Sequence, residues 1–188
     1  MVEIGVNCAC GKLRAVAEID GPDMGNRLVC HCRSCQRFAA FLGSDGILDP
    51  WGGSDLYQMP MAKFRILEGI ENLRSVRLSE KGVYRWFTDC CRTPIANSMT
   101  PAMPFLTLFP VSLDVDDLDA VLGPVRGYVF VDHGIGSVPA ERHGTGRGAL
   151  WRSTWKMVVW KLKGWSWPSA LFHEGSVPVA APERVSGN

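Results

Sequence analysis

All seven cysteines of this chain lie in three short groups, and that grouping limits the fold more than any other feature of the sequence. They are Cys8 and Cys10 in CACG, Cys30, Cys32 and Cys35 in CHCRSC, and Cys90 and Cys91 in FTDCCRTP. Cysteines serving only as small buried hydrophobes would not collect in this way. An odd number also leaves one unpaired in any disulfide scheme. The opening MVEIGVNCACGK lacks the basic-then-apolar layout of a secretory signal, so the expected location is cytoplasmic. Reducing conditions there favour metal ligation or redox work over structural disulfides. Zinc sites draw ligands in close pairs from tight turns. Seven ligands divide into four and three: four thiolates close a structural tetrahedral site, and three leave a position open to water or substrate. The compact CHCRSC group is the natural three-ligand site. The first and third groups together would close a structural site that pins two hairpins.

The remaining sequence reads as mainly β. Leu13, Ala15, Ala17 and Ile19 alternate with Lys12, Arg14 and Glu18, the period of a half-buried strand. Residues 3–19 therefore form two strands around a turn at Gly11, and RLVC (27–30) is a strand leading into the second group. A helical turn is expected around SCQRFAAFLG. After it comes GSDGILDPWGGSD (43–55), a loop that is either a lid or a plain surface connection. Further strands are expected at 57–59, 63–67, 73–78, 84–87, 105–109 and 126–131. SLDVDDLDAVLG (112–123) predicts a short helix with Ser112 as cap, Gly123 as stop and its acids at the helix start rather than on a cation. The expected architecture is small antiparallel sheets around a cysteine-bound zinc, over residues 1–131. Residues 132–188 add a glycine-rich loop, a Trp-rich helix and an extended proline-rich tail that pack on it.

ALWRSTWKMVVWKLKGW (149–165) has helical periodicity. Trp151, Trp155, Val158, Val159, Leu162 and Trp165 fall on one face, with Arg152, Lys156 and Lys163 beside it and Trp160 away from it. That face is expected to pack on the β-domain. The alternative is contact with a membrane surface or a protein partner, and the outlying Trp160 keeps it open. A net charge of +1 gives no global reason to expect nucleic acid. No run approaches the roughly 18 apolar residues of a membrane span.

The three cysteine motifs together resemble those of the glutathione-dependent formaldehyde-activating enzyme family, which includes centromere protein V. The resemblance covers roughly residues 5–110, and it has the look of a divergent branch. It implies that Cys8, Cys10 and Cys91 hold a structural zinc. It also implies that Cys30, Cys32 and Cys35 hold a second, labile zinc associated with glutathione chemistry. The expected activity is that of a carbon–sulfur lyase acting on a glutathione or other small-molecule thiol adduct, as in S-(hydroxymethyl)glutathione formation. A non-catalytic zinc-stabilised binding module is the alternative. His31 is a non-ligand in the family motif. Arg33 and Arg37 stand where they would lower thiol pKa values and attract a glutathione carboxylate, or else are ordinary solvated charges. His133, His143 and His173 have no metal-like spacing. The third motif departs from the pattern: Thr88 stands in a cysteine position and Arg92 in a glycine position. Cys90 is extra. It either completes the structural site, which needs a turn because adjacent residues of a strand point oppositely, or it reaches the middle group and closes it.

Overall fold

Apolar side chains at every second residue of Val2–Asn7 (β1) and Arg14–Ile19 (β2) bury Ile4, Val6, Ala15, Ala17 and Ile19 on one side of an antiparallel hairpin. The computed structural model of the protein describes residues 2–184. In chain order the remaining strands are β3 (Asn26–Cys30), β4 (Ser54–Met59), β5 (Phe64–Glu68), β6 (Leu73–Arg77), β7 (Tyr84–Thr88), β8 (Pro94–Ser98), β9 (Leu106–Leu108), β10 (Tyr128–Val129), β11 (Phe172–His173), β12 (Val177–Pro178) and β13 (Pro182–Arg184). The α-helices are α1 (Arg33–Leu42), α2 (Leu118–Leu122) and α3 (Gly146–Leu162).

The fold is mainly β, but its organising element is larger than the sequence suggests. Beside a three-stranded sheet β1-β2-β5 and the two-stranded β11-β12 lies an eight-stranded mixed sheet, ordered β10-β3-β4-β9-β8-β7-β6-β13. Its two outermost pairings, β10 with β3 and β13 with β6, are parallel. Parallel neighbours come from distant chain segments and need no hairpin turn, so they leave no local signature. Both faces of this sheet are buried. Tyr57, Met59 and Trp86 pack towards the three-stranded sheet, while their neighbours Leu56 and Phe87 pack with Phe38 and Leu42 of α1 on the other face. The C-terminal segment enters the same core through Leu171 and Phe172.

Two helical expectations are corrected. Ser112 does not cap a helix; its buried hydroxyl donates to the Phe109 carbonyl within a short 3-10 turn. The helix α2 begins only at Leu118, where the Asp117 carboxylate accepts from the Asp119 and Ala120 amides, a better cap at the actual start. The second correction concerns α3, whose packed face is opposite to the one the Trp-rich pattern suggests. Ala149, Ser153 and Trp160 are buried, whereas Trp151, Trp155, Val158 and Leu162 are exposed. Polar chemistry decides the orientation. The buried Asn26 side chain donates to Gln58 Oε1, to Ser153 Oγ (2.9 Å) and to the Ala149 carbonyl, and Ser153 donates to Gln58 at 2.6 Å. Asn26 and Gln58 bond each other, but the second Asn26 N–H and the remaining acceptor capacity of Gln58 are met from the helix, and a buried polar group left unsatisfied costs about 1–3 kcal/mol. Turning the Trp151 face inward would take the helix's bonds away from both side chains. Trp160→Ala is therefore expected to destabilise the protein by about 3 kcal/mol, against less than about 0.5 kcal/mol for Trp155→Ala, as read by urea denaturation.

Candidate metal centre

Each cysteine group sits where a strand gives way to a turn, and the turns decide which sulfurs meet. After β1, the Gly11 amide donates to the Cys8 carbonyl, and Gly11 adopts a left-handed φ of +73°. This tight turn brings Cys8 Sγ and Cys10 Sγ to 3.5 Å. After β7, the Arg92 amide donates to the Thr88 carbonyl at 2.9 Å, and Arg92 itself takes a left-handed φ of 57°. That conformation favours glycine, and here Arg92 holds it with its guanidinium over the Phe41 and Phe87 rings. The resulting turn frees Cys90 and Cys91 from the opposed directions of a strand. Cys90 Sγ lies 3.1 Å from Cys10 Sγ, 3.9 Å from Cys8 Sγ and 3.8 Å from Cys91 Sγ. The Ala9 amide donates to Thr93 Oγ1 at 3.0 Å and ties the two turns together.

Cys8, Cys10, Cys90 and Cys91 thus present four sulfurs within 4.8 Å of one another. A tetrahedral zinc with Zn–S of about 2.3 Å spaces its sulfurs by about 3.8 Å, so the four thiols fit such an ion. Thr88, in the cysteine position of the resembled motif, is fully buried with its hydroxyl 3.4 Å from Cys91 Sγ. Against the cost of burial, the hydroxyls of Thr88 and Thr93 bring the Cys91 thiol down to about 5. Thr88 is thus a hydrogen-bond partner of Cys91, and Cys90 is the fourth sulfur of the cluster.

The middle group forms separately. Cys30 ends β3, Cys32 caps the N-terminus of α1, and Cys35 lies in its first turn. Their three sulfurs also lie within 4.8 Å of one another, with Cys32 Sγ and Cys35 Sγ at 3.3 Å. Cys30 and Cys35 are buried and Cys32 is half-buried. The Cys32 thiol is held well below the usual thiol range by hydrogen bonds from Cys30 and Cys35, helped by the Cys35 amide and by Arg85. The same sharing pushes Cys30 upward. His31 does not join the sulfurs. Its fully buried ring turns towards Asp49, with Nε2 3.9 Å from Oδ2.

Arg85 is the residue that sequence reasoning missed. Its side chain comes from β7 and is 3% exposed. It donates to Ser34 Oγ at 2.8 Å and Asn97 Oδ1 at 3.1 Å, and Nη2 lies 3.9 Å from Cys35 Sγ. No carboxylate pairs with it among the described residues. The contrast is Arg27, 8% exposed, which is neutralised by Asp55 and Asp119. A buried guanidinium needs a counter-charge. For Arg85 the cysteine group is the available source, and three thiolates around a divalent cation carry the matching single negative charge. The only local signal was an arginine inside the apolar run YRWF (84–87). Arg33 and Arg37, one turn apart on α1, are exposed, and their side chains make no hydrogen bond or ion pair among the described residues.

The seven cysteines thus form two groups that could each hold a metal ion, one of four sulfurs and one of three. No curated protein matches the chain. Among solved structures it is similar to the crystal structure of a Rhodobacter sphaeroides protein, a structural-genomics target, at 18% identity and a TM-score of 0.47. That similarity covers 64% of this chain and 96% of the other. The sequence model for a family of unknown function, DUF6151, matches residues 2–183 and so takes in both cysteine groups; the chain belongs to that family.

Proposed function

We propose that the protein is a cytoplasmic zinc protein with a structural ion at Cys8, Cys10, Cys90 and Cys91 and a thiol-reactive ion at Cys30, Cys32 and Cys35. Its proposed reaction is carbon–sulfur bond formation or cleavage between a small thiol, such as glutathione, and formaldehyde. The observation that carries this reading is the placement of Cys90: it stands with the first group, so no fourth sulfur closes the middle one. The resemblance of the three motifs to formaldehyde-activating enzymes points the same way.

A zinc held by the middle group would supply a Lewis acid that stabilises a substrate thiolate. The chain's own contribution is the surrounding charge and shape. Arg85 offsets the negative charge of the sulfurs from within the core, and the N-terminus of α1 adds a partial positive charge beside Cys32. Cys32 is the most exposed residue of the three. Arg33 and Arg37 offer two cations to a substrate carboxylate. In the forward direction a sulfur–carbon bond forms as the aldehyde π bond opens, and the thiol proton ends on oxygen. No electrons are gained or lost overall, and the lyase direction is the reverse.

The alternative, a non-catalytic zinc-stabilised binding module, draws on the burial of Cys30 and Cys35. Exchange spectroscopy on glutathione and formaldehyde separates the two. The proposal expects the zinc-loaded protein to accelerate adduct exchange beyond the spontaneous rate, and Cys32→Ser to abolish that acceleration while the structural ion is retained. Unaccelerated exchange with both ions bound would leave the binding module.

A further inference from the structure

Helix α3 is apolar on two opposite sides. One stripe, Ala149, Ser153 and Trp160, is buried against β3 and β10. The other, Trp151, Trp155, Val158 and Leu162, follows i, i+4, i+7, i+11 spacing on the reverse side. Its members are 73%, 62%, 47% and 84% exposed. A lone exposed apolar residue is ordinary, but a continuous stripe with two tryptophans marks a contact surface. The charge around it is one-sided. Between Gly146 and Lys163 the chain carries Arg147, Arg152, Lys156, Lys161 and Lys163 and no Asp or Glu, in a protein of net charge +1. Arg152 and Lys156 are engaged in docking the helix. Arg152 donates to Asp23 Oδ1 at 2.7 Å, and Lys156 donates to the Asp23 and Met24 carbonyls. Arg147 and Lys161 are exposed and belong to the outer side, and Lys163 extends over the Trp165 ring at its C-terminal end.

We propose that this outer face of α3 is a docking surface for an anionic membrane, on which the helix lies in the plane of the interface. Tryptophan rings combine apolar area with an N–H and suit the headgroup region, and flanking Lys and Arg side chains reach anionic lipid phosphates. No helix of the described residues is long and apolar enough to cross a membrane, so the contact is peripheral. The four-three-four spacing would also suit a helix of a second copy. In that pairing, however, Arg147 and Lys161 would flank a seam with no acidic side chain on the facing helix, which is repulsive. An anionic surface turns the same charges into attraction.

The test uses the full chain with vesicles of phosphatidylcholine, alone or with phosphatidylserine added. Flotation with the serine-containing vesicles only, a blue-shifted tryptophan emission and release at high salt are expected. Trp155→Glu with Leu162→Glu should abolish binding while leaving metal content and circular dichroism unchanged. Arg147→Gln with Lys161→Gln should weaken binding by about fivefold per cation removed. Three results would overturn the proposal: no flotation with anionic vesicles at low salt, or flotation untouched by the double glutamate variant. The third is a dimer in sedimentation that Leu162→Glu dissolves or tight binding of an acidic amphipathic peptide, either without vesicle binding.

Discussion

Cys90→Ser is expected to abolish the metal binding proposed for Cys8, Cys10, Cys90 and Cys91 and to cost at least about 3 kcal/mol of stability, a fraction of the 10–16 kcal/mol apparent binding energy of structural zinc in small domains. For a chain of this size that corresponds to a fall in Tm of about 6–12 °C. The reason is geometric. Cys90 Sγ stands 3.1 Å from Cys10 Sγ and 3.9 Å from Cys8 Sγ, bridging the β1–β2 turn and the β7–β8 turn. Serine keeps the turn but offers a poor ligand, so the two turns would be joined mainly by the single Ala9–Thr93 hydrogen bond. Metal analysis with thermal unfolding checks both halves. Were Cys90 a ligand of the middle group, the same variant would instead leave the first ion in place and loosen the ion near Cys32.

Arg85→Met is expected to have the next largest effect, about 3 kcal/mol lost in urea denaturation together with weakened retention of the ion proposed at Cys30, Cys32 and Cys35. Methionine fills much of the volume but removes the guanidinium that meets Asn97, Ser34 and Cys35. The sulfurs would then carry buried negative charge without compensation, so the ion should leave at a lower chelator concentration. Arg85→Lys separates the two contributions. It keeps the charge and should restore much of the metal retention, while the lost fork to Asn97 and Ser34 keeps stability below wild type. Equal metal retention in all three proteins would contradict the charge-balancing role.

The compact group Cys30, Cys32 and Cys35, and most strands, could be read from spacing and alternation because both are local. The destination of Cys90 could not, since it depends on a left-handed Arg92, a conformation that sequence assigns to glycine. Arg85 was hidden for a related reason. In β7 the side chains of Arg85 and Phe87 share one face of a sheet buried on both sides, so the polar member of the alternation is not the solvent-facing one. The helix α3 misled the periodicity argument because both of its sides carry apolar residues. The choice between them rests on Asn26 and Gln58, far away in the chain, whose hydrogen bonds beyond their mutual one come from Ser153 and Ala149. The strand β8 was missed because it opens on Pro94; β10 falls within the strand expected at 126–131, but its parallel pairing with β3, like that of β13 with β6, joins segments far apart in the chain and leaves no local signal.

The most direct measurement is a zinc count by native mass spectrometry on the wild type and on a variant with Cys30, Cys32 and Cys35 all changed to serine. Two zinc ions in the wild type and one in the folded triple variant are predicted, the retained ion belonging to Cys8, Cys10, Cys90 and Cys91. A wild type that binds no zinc, or one ion that survives unchanged in the triple variant, would contradict the two-centre account.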